Sequence, residues 1–187
     1  MNRAIHHAEA GMNILITGAP GCGKTTLIEN VARELAGAHP AGFITREIRD
    51  AGERRGFALV SFCGRNGILA HVSIKSQWRV GKYGVDVPGF EAFLQELHLS
   101  DARLVIIDEI GKMECLSPLF RTRVTEVLDS PCVLVASIAL RGTPFIEALK
   151  SRRDVEIYSL DRRNQEQVAG DVTMRVRGAL CITGRGS

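Results

Sequence analysis

The run Gly18-Ala19-Pro20-Gly21-Cys22-Gly23-Lys24-Thr25 fits the pattern G-x-x-x-x-G-K-[ST] at every fixed position. The chemistry served by that spacing is the cradling of a polyphosphate. Glycines let the backbone curl until successive N–H groups converge on phosphate oxygens. A helix that starts immediately afterwards adds the positive end of its dipole. Lys24 is placed to reach the β- and γ-phosphates, and the Thr25 hydroxyl to ligand Mg²⁺. These residues predict that the chain binds a nucleoside triphosphate together with Mg²⁺.

A second pair of residues completes the chemistry. The apolar run Leu104-Val105-Ile106-Ile107 ends in Asp108-Glu109. A carboxylate at the carboxyl end of a buried parallel strand faces the crevice where open α/β sheets bind ligands. Asp108 fits the acid that holds Mg²⁺, through its water shell. Glu109 fits a general base or positioning group for a water attacking the γ-phosphorus. An acid next to the metal-holding aspartate favours hydrolysis; the alternative is a phosphotransferase that excludes water and passes the γ-phosphate to a nucleoside or small metabolite. Ser137, at the end of a later apolar run, suits a polar sensor near the γ-phosphate, with capping as the ordinary alternative. Charge in the transition state calls for a further cation, and Arg46, Arg79, Lys82, Lys112 and Arg141 are candidates by loop position.

The positioning elements follow from pattern. Met12–Thr17 reads as a buried strand before the loop, and Leu27, Ile28, Val31, Ala32 and Leu35 mark one face of the helix after it. Gly37 is the expected C-cap. Phe43–Arg49, Gly56–Phe62 and Ile68–Val72 read as three antiparallel strands beside a parallel core, with Asp50–Arg55 and the turn residues Gly64-Arg65-Asn66-Gly67 between them. Gly81–Pro88 reads as a loop. Phe90, Phe93, Leu94 and Leu97 predict a helix, and Ser117-Pro118 an N-cap and first residue of the next, through Phe120, Val124, Val127 and Leu128. Leu104–Ile107 and Val133–Ala136 are apolar throughout, as expected of strands buried on both faces. Val155–Leu160 predicts a further strand, and Val168, Val172 and Val176 a last helix. The expected organisation is an N-terminal extension (1–11), one α/β domain (12–182) and a tail (183–187) expected to be disordered.

Composition narrows the class. At 187 residues and 45% hydrophobic, the chain is long enough for one domain with a core of its own. No apolar run is long enough for a membrane span, and the N-terminal ten residues lack the apolar stretch of a signal peptide. Five scattered cysteines (Cys22, Cys63, Cys115, Cys132, Cys181) form no C-x-x-C pair, which points to reduced thiols in a cytoplasmic protein. Cys22 could be a redox switch, though a small side chain that fits the loop is the simpler role. The net charge of +3 is mild. The pairs Arg54-Arg55, Arg152-Arg153 and Arg162-Arg163 have no interleaved aromatics, so solvated surface rather than a nucleic-acid site is expected. Surface or packing roles suffice for His6-His7 and His71, whereas Trp78 and Tyr83 suit either stacking on a base or packing in the core.

Taken together, Gly18–Thr26, Gly42–Arg49, Arg55-Gly56-Phe57, Val80–Asp86 and Ile107–Glu114, in this order, resemble the thermophilic and cancer-related nucleoside-triphosphatases, from about Met12 to Asn164. The resemblance implies a P-loop NTPase (RecA-like) three-layer α/β sandwich with a mostly parallel central sheet and an antiparallel hairpin excursion. It also implies slow, Mg²⁺-dependent hydrolysis of ATP, GTP and other nucleoside triphosphates to the diphosphate, with little regard to the base. Carried over residue by residue, it assigns phosphate binding to Gly18, Ala19, Pro20, Gly21, Cys22, Gly23, Lys24, Thr25 and Thr26. It places the segment Leu104–Gly111, including Ile107, Asp108, Glu109, Ile110 and Gly111, beside the nucleotide. Ser137 stands where these proteins often have threonine, which keeps the hydroxyl. A monomer acting on nucleoside triphosphates alone, without membrane or nucleic acid, is the expectation.

Overall fold

In the computed structural model, residues 11–181 are described; residues 1–10 of the expected N-terminal extension and the whole expected tail lie outside that range. Nine strands form one sheet in the order β5-β6-β4-β3-β2-β7-β8-β1-β9. Five of them run parallel: β2 (Ala41–Asp50), β7 (Leu104–Ile110), β8 (Val133–Ile138), β1 (Asn13–Gly18) and β9 (Val155–Leu160). The other four, β3 (Glu53–Ser61), β4 (Asn66–His71), β6 (Tyr83–Val85) and β5 (Arg79–Val80), extend it antiparallel beyond β2.

The apolar runs explain the layers. Successive strand side chains point to opposite faces. Leu15, Val105, Ile107, Leu134 and Ala136 therefore join the cluster under α2 (Val87–Gln95), α3 (Pro118–Leu128) and α4 (Pro144–Lys150). Their chain neighbours Ile14, Ile16, Leu104, Ile106, Val133 and Val135 join the cluster under α1 (Lys24–Glu34) and α5 (Gln165–Ala179). Helices cover both faces, so the architecture is the three-layer α/β sandwich. Phe43 on β2 anchors the first cluster, with ring centroids 5.8 Å from Phe90, 5.8 Å from Phe93 and 6.2 Å from Phe120.

Capping matches the sequence at α3, where the Ser117 hydroxyl accepts from Phe120 N–H and Pro118 opens the helix. Three expectations need correction. Gly37 does not cap α1; the helix ends at Glu34 with Leu35 as its C-cap, a single 3₁₀ turn follows over Ala36–Ala38, and the left-handed residue is His39 (φ 50°), just before Pro40. Gly81–Pro88 is not a plain loop: β5 and β6 form a hairpin across Gly81-Lys82, and β6 pairs with β4 through Ala70↔Val85 and His71↔Gly84. The helix that follows begins at Val87, capped by Asp86 accepting from Gly89 N–H. A helix absent from the sequence reading, α4, is capped by Thr143 and buries only Ile146 and Leu149. The polar stretch between β2 and β3 also shrinks, because both strands run on until only Ala51-Gly52 turns.

Candidate active site

β1 ends at Gly18 and the chain turns through Ala19–Cys22 into α1. Gly23, the N-cap of α1, has φ 99°, a conformation that a side chain at this position would oppose. No side chain caps the helix and its first turn holds no acid. Within the loop, Cys22 N–H donates to Ala19 O, and the first bond of the helix runs from Leu27 N–H to Gly23 O. The N–H groups of Lys24, Thr25 and Thr26 thus have no carbonyl of their own helix to meet, the ordinary state of a helix start and a favourable one for an anion.

β8 lies between β1 and β7 in the sheet, and it carries the link between the loop and the acids. The helices after β1 and after β7 pack on opposite faces, which opens a crevice at the carboxyl ends of these strands. Asp108 is 2% exposed and accepts a hydrogen bond from the Ser137 hydroxyl on β8. Burial raises the Asp108 carboxyl above its ordinary range, while the Ser137 and Thr25 hydroxyls and the Lys24 charge pull it back. The regular β7–β8 register is interrupted between Ile107 and Ile110, at Asp108-Glu109.

Lys24 Nζ donates to Gly18 O at 3.2 Å and lies 4.0 Å from Glu109 Oε1. Burial raises the Glu109 carboxyl too, against the pull of Lys24. Lys24, Thr25, Asp108 and Glu109 line one cleft of about 930 Å³, together with Gly18, Pro20, Gly21, Gly23, Thr26 and Gly111. The side chains of Ile107 and Ile110 are fully buried in the core and that of Cys22 is nearly so; only their backbone is available to a nucleotide. Ala19 is exposed outside the cleft lining.

Among the candidate cations, Arg46, Lys112 and Arg141 line the cleft, and Arg46 is paired with Glu29 on α1 at 3.0 Å. Arg79 and Lys82 lie instead at the β5–β6 hairpin, where Arg79 donates to Lys82 O at 3.0 Å. Tyr83 is 7% exposed and packs in the core, its hydroxyl accepting from Arg54 Nε at 3.0 Å. Of the arginine pairs, Arg152 is held by Asp129 and Asp154, each at 2.6 Å, and Arg54 by Glu47 at 2.9 Å.

Three further residues shape the site, of which only Gln165 carried no sequence signal. Glu114 lines the cleft yet is 5% exposed, and burial pushes its carboxyl up to about 8. Gly111 is small because a Cβ there would sit 2.7 Å from Glu114 Oε2 and 3.7 Å from Glu109 Cγ. Gln165, at the start of α5, donates from Nε2 to Cys22 O at 2.7 Å and ties the loop to the last helix.

Among the described residues no group of three or more His, Cys, Asp or Glu could hold a metal. Mg²⁺ does not need one: it is commonly held by one or two protein oxygens with substrate phosphates and water. The oxygen pair Asp108 and Thr25, both lining this cleft, has the donor chemistry for it.

The chain is similar in sequence and fold to known proteins. The family model described as NTPase matches residues 13–173. The nucleoside-triphosphatase THEP1 of Thermotoga sp. (strain RQ2) is 43% identical over 164 residues, covering 86% of this chain and 93% of the relative. The human cancer-related nucleoside-triphosphatase is 34% identical over 185 residues, covering 89% and 97%. The crystal structure of THEP1 from Aquifex aeolicus superposes with a TM-score of 0.80 at 31% identity, covering 88% of this chain and 99% of that one.

Proposed function

The chain belongs to the NTPase family, and on that premise we propose that it is a Mg²⁺-dependent phosphohydrolase releasing phosphate from ATP, GTP and other nucleoside 5′-triphosphates. The observation that carries the reading is the convergence of Lys24, Thr25, Asp108 and Glu109 on one cleft, with Lys24 Nζ 4.0 Å from Glu109.

In this reading the backbone N–H groups from Gly18 to Thr26 bind the phosphates, and Lys24 leaves Gly18 O to contact the β- and γ-oxygens. Asp108 and Thr25 hold Mg²⁺, which when bound neutralises charge on the β- and γ-phosphates. Ser137 keeps the buried Asp108 oriented by its hydrogen bond. Glu109 positions the attacking water and accepts its proton as oxygen bonds to the γ-phosphorus, while the bridging oxygen leaves on the diphosphate. Of the loop cations singled out by sequence, Lys112 and Arg141 line the cleft and are available to the developing charge. Phosphate and metal contacts carry no information about the base, which supports broad nucleotide use. Five free cysteines suit a reducing compartment and support a cytoplasmic setting.

Phosphate release from ATP, GTP, CTP and UTP, with Mg²⁺ and then with chelator, tests the proposal. Turnover is expected for all four, lost on chelation. Glu109→Gln should keep nucleotide affinity and lose roughly 10²–10⁴ in turnover, the usual range for a general base. Unchanged turnover in that variant removes Glu109 from the mechanism, and no phosphate release from any nucleotide defeats the reading.

A further inference from the structure

The cleft has a second wall that phosphate and metal chemistry do not account for. It comes from the antiparallel strands outside the parallel core: Arg54 and Phe57 on β3, and Val80 on β5. Arg54 is fixed on three sides. Its Nε donates to the Tyr83 hydroxyl at 3.0 Å, its Nη1 to Glu47 at 2.9 Å, and its guanidinium lies 5.2 Å from the centre of the Phe57 ring. The remaining nitrogen, Nη2, has no acceptor among the described residues, and the side chain is 45% exposed. Phe57 is itself set edge-on to Tyr83, with centroids 5.3 Å apart.

A guanidinium held by two partners with one edge left over is pre-organised for an oxyanion, because little rotamer freedom remains to be lost. A half-buried aromatic ring and a valine in the same wall favour a flat apolar body. The cleft volume of about 930 Å³ stands near the top of the range for small-molecule sites, roughly 300–1,000 Å³. That leaves space beyond a triphosphate tail held at Lys24.

We propose that the Arg54–Phe57–Val80 wall binds a second small molecule, a ring-bearing phosphate monoester, beside the nucleotide. The proposal rests on the nucleotide reading of the Lys24 end. The rival occupant is the base of the nucleotide itself, and the two are separable.

The test saturates the protein with Mg²⁺ and a non-hydrolysable ATP analogue, so that the phosphate loop is filled, and titrates phenyl phosphate by calorimetry. One saturable site is expected, with no binding of benzyl alcohol. Inorganic phosphate should bind about ten-fold or more weakly, for want of a ring to bury. Arg54→Ala should weaken phenyl phosphate about ten-fold or more, as expected of a lost charged hydrogen bond. Val80→Trp, which fills the space without touching a charge, should abolish its binding. Both variants should bind the ATP analogue as the parent protein does. Absence of phenyl phosphate binding, or equal binding of inorganic phosphate, overturns the proposal. Weakened analogue binding in both variants also overturns it and gives the wall to the base. Failure of the parent protein to bind the analogue, read in the separate analogue titration, removes the nucleotide reading and this one with it.

Discussion

The Ser137 hydroxyl donates to Asp108 Oδ1 between two buried strands, β8 and β7. Because β8 also pairs with β1, through Ile16↔Ser137, the same serine lies in register with the strand that feeds the phosphate loop. One side chain therefore fixes the carboxylate proposed to hold the metal relative to the loop proposed to bind the phosphates. Ser137 thus acts on Asp108 rather than on the γ-phosphate directly.

Ser137→Ala removes a hydrogen bond that keeps Asp108 from rising further above its ordinary range. On the proposed mechanism Asp108 is ionised when it holds Mg²⁺, so the acid limb of turnover should move to higher pH in this variant. Ser137→Thr keeps the hydroxyl and should leave the limb in place. Urea unfolding should show a loss of about 1–3 kcal/mol for the alanine variant, the usual penalty for a buried polar group left without its partner. A pH profile of kcat/KM that is the same in all three proteins would remove Ser137 from the site.

Gln165 supplies the other constraint on the loop, its amide donating to Cys22 O across the gap between α5 and α1. Gln165→Ala frees that carbonyl and leaves Lys24, Asp108 and Glu109 untouched. The loop then has more conformations to lose on binding phosphate. KM for nucleoside triphosphates should rise about two- to ten-fold, matching a hydrogen bond of ~0.5–1.5 kcal/mol, with kcat nearly constant. A fall in kcat without a change in KM would show that Gln165 acts on chemistry instead.

The core makes its own demand. Phe43 is fully buried, and its strand pairs through Phe43↔Ile107 with the strand that carries Asp108. Phe43→Ala leaves a cavity among Phe90, Phe93 and Phe120, with an expected loss of about 3–5 kcal/mol. Guanidinium unfolding measures it, and a loss below 1 kcal/mol would mean the three rings close over the gap.

Both halves of the candidate site were legible because each is local in sequence. Gly18–Thr25 is one continuous run, and Asp108-Glu109 ends an apolar strand whose length alone marks it as buried. The sheet order was not legible, since nothing in Val133–Ala136 says that it lies between the other two. Arg54, Phe57 and Gln165 went unread as site residues for the same reason: their partners Tyr83, Glu47 and Cys22 are distant in the chain or join only through tertiary packing. The β5–β6 hairpin was hidden because strands of two and three residues are too short to show alternation. α4 was missed because only two of its seven residues are buried.

Glu114 gives a pH dependence whose sign is fixed by its surroundings. Burial is the main cause that pushes its carboxyl up to about 8 from an ordinary 4.5, the charges of Glu109 and Asp108 push the same way, and backbone N–H groups of Glu114 and Gly111 oppose them. The folded protein therefore holds this proton more tightly than the unfolded chain does. Its contribution to stability is complete below the unfolded value of 4.5 and is lost as pH rises through about 8. The melting temperature should consequently fall between about pH 5 and about pH 9. Glu114→Gln keeps the shape and can never ionise, so its melting temperature should fall less over the same range. The two curves should differ least at the acid end and spread apart on the alkaline side, where the parent carboxylate is charged and buried. Curves of equal slope would locate the pH dependence elsewhere and return Glu114 to the role of a packing residue beside Gly111.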